Sequence, residues 1–331
     1  IERMNKMKKL FALLLCVMLF ITSVPAFAAE TVILGDVEND GVLNKQDVNK
    51  LAEYIAGYVK VVEEFDDATL KLADMDGNGK ISSADLLELV KIVPEEKGPI
   101  IILKCDDMKS NNLDAVIAFE NFYNLFKEEG VTAAFGIVGN SASSGNQTRF
   151  WQDVNTFIEG GIEIWSHGWY HRKNDAGKAD YNGKYTYDEM KTQFQNVIDL
   201  VAKKANGYQI TSFGPPYNQL SAEAAEMINN DFPQITSVFF PSSAARPVLN
   251  AVQITSRFDL EGGAITLENF KKLYDARGTS EYYAIQMHPN NYDDTELGEL
   301  RKIIRFLKDE NCTFMTPSQY VEYVKNKKEL Y

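Results

Sequence analysis

From Ile100 onward, short apolar runs alternate with stretches of helical periodicity. Apolar runs at residues 100–105, 132–138, 162–165, 209–213, 235–240, 252–256, 282–287 and 313–315 have the length and bounding residues of strands. Between many of them, apolar positions recur at helical spacing, most clearly over 113–128, 187–204, 267–275, 296–310 and 317–325. This order predicts parallel strands wrapped by helices. Seven or eight such units in roughly 230 residues predict an α/β fold of the (β/α)-barrel kind, closed or nearly so, with its chemistry at the C-terminal ends of the strands.

The first hundred residues follow a different pattern. Lys6, Lys8 and Lys9 precede an apolar run over 10–24, then Pro25 and the small-residue site Ala26-Phe27-Ala28. This is the pattern of a secretory signal peptide over residues 1–28, too short and wrongly flanked for a membrane span. Two similar loops follow. Residues 36–47 place Asp36, Glu38, Asp40, Asn44 and Asp47 at positions 1, 3, 5, 9 and 12. Residues 74–85 place Asp74, Asp76, Asn78, Ser82 and Asp85 at the same positions. Each has glycine at position 6, which allows the sharp turn that lets alternate oxygens converge on a hard cation. An apolar ladder follows each loop: Leu51, Ile55 and Val59 after the first, and Leu86, Leu89, Val90 and Val93 after the second.

Asp at position 12 and a single helix after each loop make residues 31–93 resemble a dockerin module. The resemblance implies a small all-α domain binding two Ca²⁺, with Val42 and Lys80 at position 7 completing the ligand sets. It also implies docking onto a cohesin domain of a scaffolding protein, hence a secreted location on a cell-surface or cellulosome complex. Lys45-Gln46 and Ser83-Ala84, at the positions that help choose the cohesin in that family, differ between the repeats. Residues 94–98, bounded by Pro94 and Pro99, read as a short linker, and 99–331 as the larger domain.

Net charge is −13. This argues against nucleic acid as a partner, since binding it needs a basic surface. Cys16 lies in the leader, so Cys105 and Cys312 remain, too few for a disulfide scaffold. Either a bridge or two buried thiols fits the spacing, and we favour the thiols. The chain has only three histidines, and all three stand at or just beyond the ends of strand-like runs. His167 and His171 are four apart. On a helical turn capped by Ser166 that spacing would bring both rings to one face, close enough to share a metal. His288 ends the run 282–287, and the paired carboxylates Asp106 and Asp107 end the run 100–105.

In chain order these motifs are Lys104-Cys105-Asp106-Asp107-Met108, Ser166-His167-Gly168-Trp169-Tyr170-His171, Phe213-Gly214-Pro215-Pro216-Tyr217, Ser256-Arg257-Phe258-Asp259 and Ile285-Gln286-Met287-His288. Together they make residues 99–325 resemble the polysaccharide deacetylases, the NodB-homology group of carbohydrate esterase family four. The resemblance implies a distorted (β/α) barrel and hydrolysis of acetyl groups on a polysaccharide, assisted by one Zn²⁺ or similar divalent ion. It assigns Asp107, His167 and His171 to the metal, Asp106 as general base and His288 as general acid. It gives Tyr217 a backbone N–H for the oxyanion and places Pro216 in the groove. Trp169, Tyr170 and Tyr292 are expected to stack on sugar rings. The family carries an arginine before its double proline, which holds the base; here Gly214 stands there. Arg257 is the expected substitute, with Asp259 orienting His288. Without a substitute, the second reading is a catalytically silent carbohydrate-binding module.

Overall fold

The computed structural model describes residues 33–57, 59–93, 97–111, 113–144, 147–260 and 265–329. The expected signal peptide and residues 94–96 of the expected linker lie outside them. The chain divides into two units between Glu96 and Lys97. No helix among the described residues is long and apolar enough to cross a membrane.

In the first unit, helices α1 (Lys45–Ile55) and α4 (Ser83–Ile92) begin where the two acidic loops end. Asn44 and Ser82 cap them, and Asp47 and Asp85 return bonds to the cap N–H groups, so both starts are capping boxes. Leu51 and Leu89 occupy equivalent places in the two repeats and are both fully buried, with Val37, Phe65 and Ala73. Val90, expected on the apolar ladder, is instead exposed. Leu89 takes the inward direction, and the next residue is carried about 100° around the helix. Two short helices that the ladders did not announce, α2 (Val59–Glu64) and α3 (Asp67–Ala73), lie between the loops.

Among the described residues, the second unit is built on nine parallel strands: β1 (Ile100–Met108), β2 (Ala134–Ile137), β3 (Glu163–Ser166), β4 (Ser212–Phe213), β5 (Ser237–Phe239), β6 (Val252–Ile254), β7 (Arg257–Asp259), β8 (Tyr282–Met287) and β9 (Thr313–Phe314). Their order is β6-β5-β4-β3-β2-β1-β8-β7, with β9 on the start of β1. Strands β6 and β7 do not pair, so the sheet curls into an open half-barrel and does not close. Among the described residues, eight α-helices accompany it: α5 (Leu113–Glu128), α6 (Gly139–Ala142), α7 (Gln147–Glu159), α8 (Tyr187–Lys204), α9 (Ala222–Asp231), α10 (Leu267–Asp275), α11 (Asp294–Asp309) and α12 (Pro317–Glu329).

Strand β1 sets the inside and the outside. Successive side chains point to opposite faces. Ile101, Leu103 and Cys105 join the core beneath the helices, with Phe119, Phe122 and Phe126 of α5. Ile100 and Ile102 join the interior cluster with Trp165, Phe239, Ile254 and Ala284. The same alternation sends Lys104 inward, and its ammonium lies 4.8 Å from the Trp165 ring centre, 5.4 Å from Phe239 and 5.2 Å from Phe240. Then the register breaks: Cys105 faces Phe135 but Met108 faces Ile137, three steps on β1 against two on β2. The extra residue is a β-bulge at Asp106–Asp107, the kind of irregularity that re-aims side chains at the rim of a sheet.

Trp165 is wedged between two glycines. A Cβ on Gly136 or on Gly214 would stand 2.3 Å from its indole ring. Cys105 is buried and Cys312 half-buried; both are free thiols, so the two do not bridge. Gly136→Ala is expected to lower stability by about 1–3 kcal/mol through overpacking, measured by urea denaturation. An unchanged unfolding midpoint would show that the indole has room to move.

Candidate metal and catalytic site

At the bulge, Asp107 adopts a left-handed conformation (φ 68°), which costs an L-residue energy and is tolerated where surrounding contacts enforce it. The outcome is that both carboxylates meet one imidazole. Asp106 Oδ2 lies 3.8 Å and Asp107 Oδ1 3.7 Å from His167 Nε2. His171 Nε2 lies 3.4 Å from the same Asp107 oxygen. Regular alternation would have sent the two adjacent carboxylates to opposite faces.

His167 and His171 are not on a helix, contrary to the expectation from their spacing. His167 follows β3, and the chain turns back through Gly168 (φ 77°) and His171 (φ 58°), leaving the rings 4.8 Å apart. Ser166 caps no helix; its carbonyl accepts the Gly214 N–H at 3.0 Å. Backbone bonds from Gly139 and Asn140 to the carbonyls of Gly168 and Trp169 hold the loop. The loop before α9 is bent in the same way, with Tyr217 (φ 60°) and Asn218 (φ 54°) both left-handed. Four strained residues thus surround one site.

His167 Nδ1 lies 2.7 Å from the Gly214 carbonyl. A carbonyl can only accept, so this bond puts the proton on Nδ1 and leaves Nε2 with a lone pair. That lone pair and Asp107 Oδ1 are buried without a hydrogen-bond partner among the described residues. Lys109 Nζ lies 3.2 Å from Asp107 Oδ1 as an ion pair but without hydrogen-bond geometry. Burial pushes the His167 imidazole down to about 3 and the His171 imidazole down to about 4. Burial works against the Asp107 carboxylate, but nearby His167, His171, Lys109 and His288 outweigh it and hold it at about 2. One donor atom from each of Asp107, His167 and His171 fits within a 4.8 Å span. Two neutral imidazoles and a carboxylate with unmet lone pairs fit a divalent ion and leave coordination positions open, as catalytic sites do.

Asp106 is held from inside the barrel. Both of its oxygens accept from the ammonium of Lys104, which is wholly buried. Gln286, directly opposite Lys104 on β8, offers its Oε1 to Lys104 Nζ at 3.3 Å and to Asn218 Nδ2 at 3.2 Å. Burial pushes the Asp106 carboxyl up and the Lys104 ammonium down, and the attraction between them opposes both shifts. His288 Nε2 lies 4.0 Å from Asp106 Oδ2, on the half-exposed side. Lys104 has no role among the sequence expectations, although it is the lone lysine of the apolar run 100–105.

Several expected roles change. Arg257 does not take up Asp106: its Nε lies 3.3 Å from Asp259 Oδ2 in an exposed pair, and Lys104 already occupies the carboxylate. Asp259, expected to orient His288, gives its carboxylate to Arg257. Tyr292 is half-buried, with its ring edge-on to Phe122 at 4.9 Å and its hydroxyl donating to the Leu260 carbonyl, so it anchors a loop. Trp169 packs over Gly139 against the core. Tyr170 is partly exposed beneath the Arg172 guanidinium. Pro216 is buried against Gly168. Tyr217 is the aromatic at the mouth, 41% exposed, 4.4 Å from the His171 ring and with Lys173 Nζ 4.2 Å from its own ring centre.

In the first unit the two loops share one bonding pattern. Position 1 (Asp36, Asp74) accepts from the N–H groups of positions 5 and 6. Position 12 (Asp47, Asp85) accepts from those of positions 3 and 9. The N–H groups of Val42 and Lys80 bond to the side chains at position 5, Asp40 and Asn78. Carboxylate oxygens of Asp74, Asp76 and Asp85 lie within 4.8 Å of one another. In the first loop Glu38 pairs with Lys50 at 3.5 Å.

A family profile for polysaccharide deacetylase matches residues 94–231, and one for the dockerin type I domain matches residues 34–93. The chain therefore carries a polysaccharide deacetylase domain preceded by a dockerin type I domain. Its sequence matches no curated protein. Among solved structures it is similar to the Xyl-CE4 domain of a multidomain xylanase from the hindgut metagenome of Trinervitermes trinervoides, at 14% identity over 70% of this chain and 92% of that one, TM-score 0.47. It is also similar to a family 4 acetyl xylan esterase from Clostridium thermocellum in complex with a cobalt ion, at 15% identity over 69% and 92%, TM-score 0.46. A CE4 family pseudoenzyme from Bacillus anthracis is similar at 15% identity over 69% and 67%, TM-score 0.47.

Two predictions follow from the titrating and acidic groups. Histidines with folded pKa values of about 3 and 4 are protonated first in the unfolded chain, near 6.5. Their contribution is therefore complete above pH 6.5 and is lost as pH falls from there through about 4 and about 3. Metal-free protein should destabilise over that window more steeply than the His167→Asn/His171→Asn variant, by urea midpoints; parallel curves contradict the buried neutral state. For the dockerin, chelating calcium from the full chain should expose residues 33–93 to protease while 97–329 stays resistant. Equal resistance with and without chelator would argue against metal-dependent loops.

Proposed function

We propose that this chain is a secreted, scaffold-borne, metal-dependent deacetylase that removes acetyl groups from a polysaccharide. Acetylated xylan is the first substrate, with chitin oligomers or peptidoglycan next, because a dockerin places an enzyme among plant-wall-degrading partners. One observation carries the reading: the unmet donors of Asp107, His167 and His171 converge beside a second carboxylate and a third histidine, Asp106 and His288.

A divalent ion such as Zn²⁺ on those three donors would polarise the acetyl carbonyl and make water acidic enough to react near neutrality. Asp106, an acceptor held at the rim, takes the proton of the attacking water as general base. His288, on the open side, donates a proton to the departing sugar oxygen or nitrogen. The bent backbone at Tyr217 offers its N–H to the oxyanion. Its exposed ring is the best placed aromatic for packing on a sugar, while Trp169 and Tyr292 support the loops. The dockerin would bind a cohesin domain and hold the enzyme at its polymer.

The silent-module reading arose from Gly214. With Trp165 filling the space beside residue 214 and Lys104 on Asp106, the missing arginine no longer leaves the base without a cation. With Zn²⁺ or Co²⁺ supplied, the protein should release acetate from acetylxylan or acetylated chitooligosaccharides. Asp106→Asn and His288→Ala should each lower kcat by about 100-fold or more. Sugar binding without acetate release by the wild type, across esters and amides, would favour the silent module.

A further inference from the structure

The buried cation at the centre of the barrel has a use that no motif assigns. Lys104 lies two residues before Asp106 on a strand whose alternate side chains enter the interior. Its ammonium has no access to solvent and is surrounded by Trp165, Phe239 and Phe240. A lysine in such a place is costly unless an anion answers it, and Asp106 answers with both oxygens. The packing that excludes a side chain at residue 214 is the packing that encloses Lys104. Trp165 stands 2.3 Å from where a Cβ on Gly214 would be, and 4.8 Å from the ammonium.

The contact has a direction. With both Asp106 oxygens engaged from beneath, the carboxylate cannot swing freely, and Oδ2 is left 3.8 Å from His167 Nε2 and 4.0 Å from His288 Nε2. Gln286 extends the arrangement, since its Oε1 accepts from both Lys104 and Asn218, the residue after Tyr217. The turn bearing Tyr217 and the carboxylate of Asp106 are thereby referred to one buried ammonium.

We propose that Lys104 is the positioning residue of this deacetylase site: it aims Asp106 from inside the barrel and, through Gln286 and Asn218, sets the Tyr217 turn against it. The role rests on Asp106 acting as the base, and the test separates the two. Lys104→Met keeps the unbranched stem and removes the charged end; Lys104→Gln keeps a donor without charge and serves if the Met variant does not fold. In a folded variant kcat should fall by about 100-fold, as expected for a base displaced by roughly 1 Å, with KM changed less than about twofold and bound Co²⁺ stoichiometry unaltered. Lys104→Arg should recover part of the lost kcat. A crystal structure of the variant should find the Asp106 carboxylate rotated away from His167 Nε2 and His288 Nε2. An unmoved carboxylate, an unchanged kcat, or a loss explained by lost metal overturns the proposal. If the wild type releases no acetate from any substrate, the deacetylase reading fails on its own, and the carboxylate position still decides whether Lys104 aims it.

Discussion

Inside the half-barrel a lysine ammonium without access to water grips the carboxylate of the residue two positions on, and the rest of the site is arranged around that pair. An isolated ion in such surroundings is strongly disfavoured, so Lys104 and Asp106 hold each other in place. The pair stands on β1, which has neighbours along much of its length and carries the interior and exterior cores on alternate residues. One step beyond it the strand takes in an extra residue, and the bulge turns Asp107 toward the same imidazole that Asp106 faces. A regular strand could supply the pinned carboxylate or the free one at this rim, but not both side by side.

The bulk of Trp165 links this arrangement to the histidines. Its indole excludes side chains at Gly136 and Gly214, and the backbone carbonyl of Gly214 fixes the tautomer of His167. The residue that reads as a gap in the motif therefore serves through its backbone. A side chain there would have to displace the tryptophan, and with it the aromatic lining around Lys104. Left-handed residues at Asp107, His171, Tyr217 and Asn218 mark where the chain is bent to bring donors together.

Much of this was legible in the sequence. Long periodic helices such as Leu113–Glu128 and Tyr187–Lys204 were, because one apolar stripe repeats over several turns. Gln147–Glu159 is absent from the expected helices, although Phe150, Trp151, Val154 and Phe157 share the helical spacing that defines such a stripe. The candidate metal trio could be named from residue type and order, but not its geometry. Four-residue spacing suggested a helix at His167 and His171, whereas Gly168 and His171 turn the chain back on itself. Arg257 stands in a motif and suggests itself as the cation, while Lys104 lies within an apolar strand run. Strand periodicity alone places Lys104 beside Asp106; that its ammonium stays buried depends on Trp165, Phe239 and Phe240, distant in sequence. Aromatic residues near a motif gave no such guide, since Trp169 and Tyr292 serve packing.

Two carboxylates that are neighbours in sequence have different surroundings: Asp107 is grouped with His167 and His171 in a possible metal site, and Asp106 is bonded to Lys104. Anomalous diffraction from a Co²⁺-loaded crystal tests that division most directly. The account predicts one cobalt ligated by Asp107, His167 and His171, with Asp106 still in contact with Lys104. Cobalt ligated by Asp106, or bound elsewhere with the trio unligated, would contradict it.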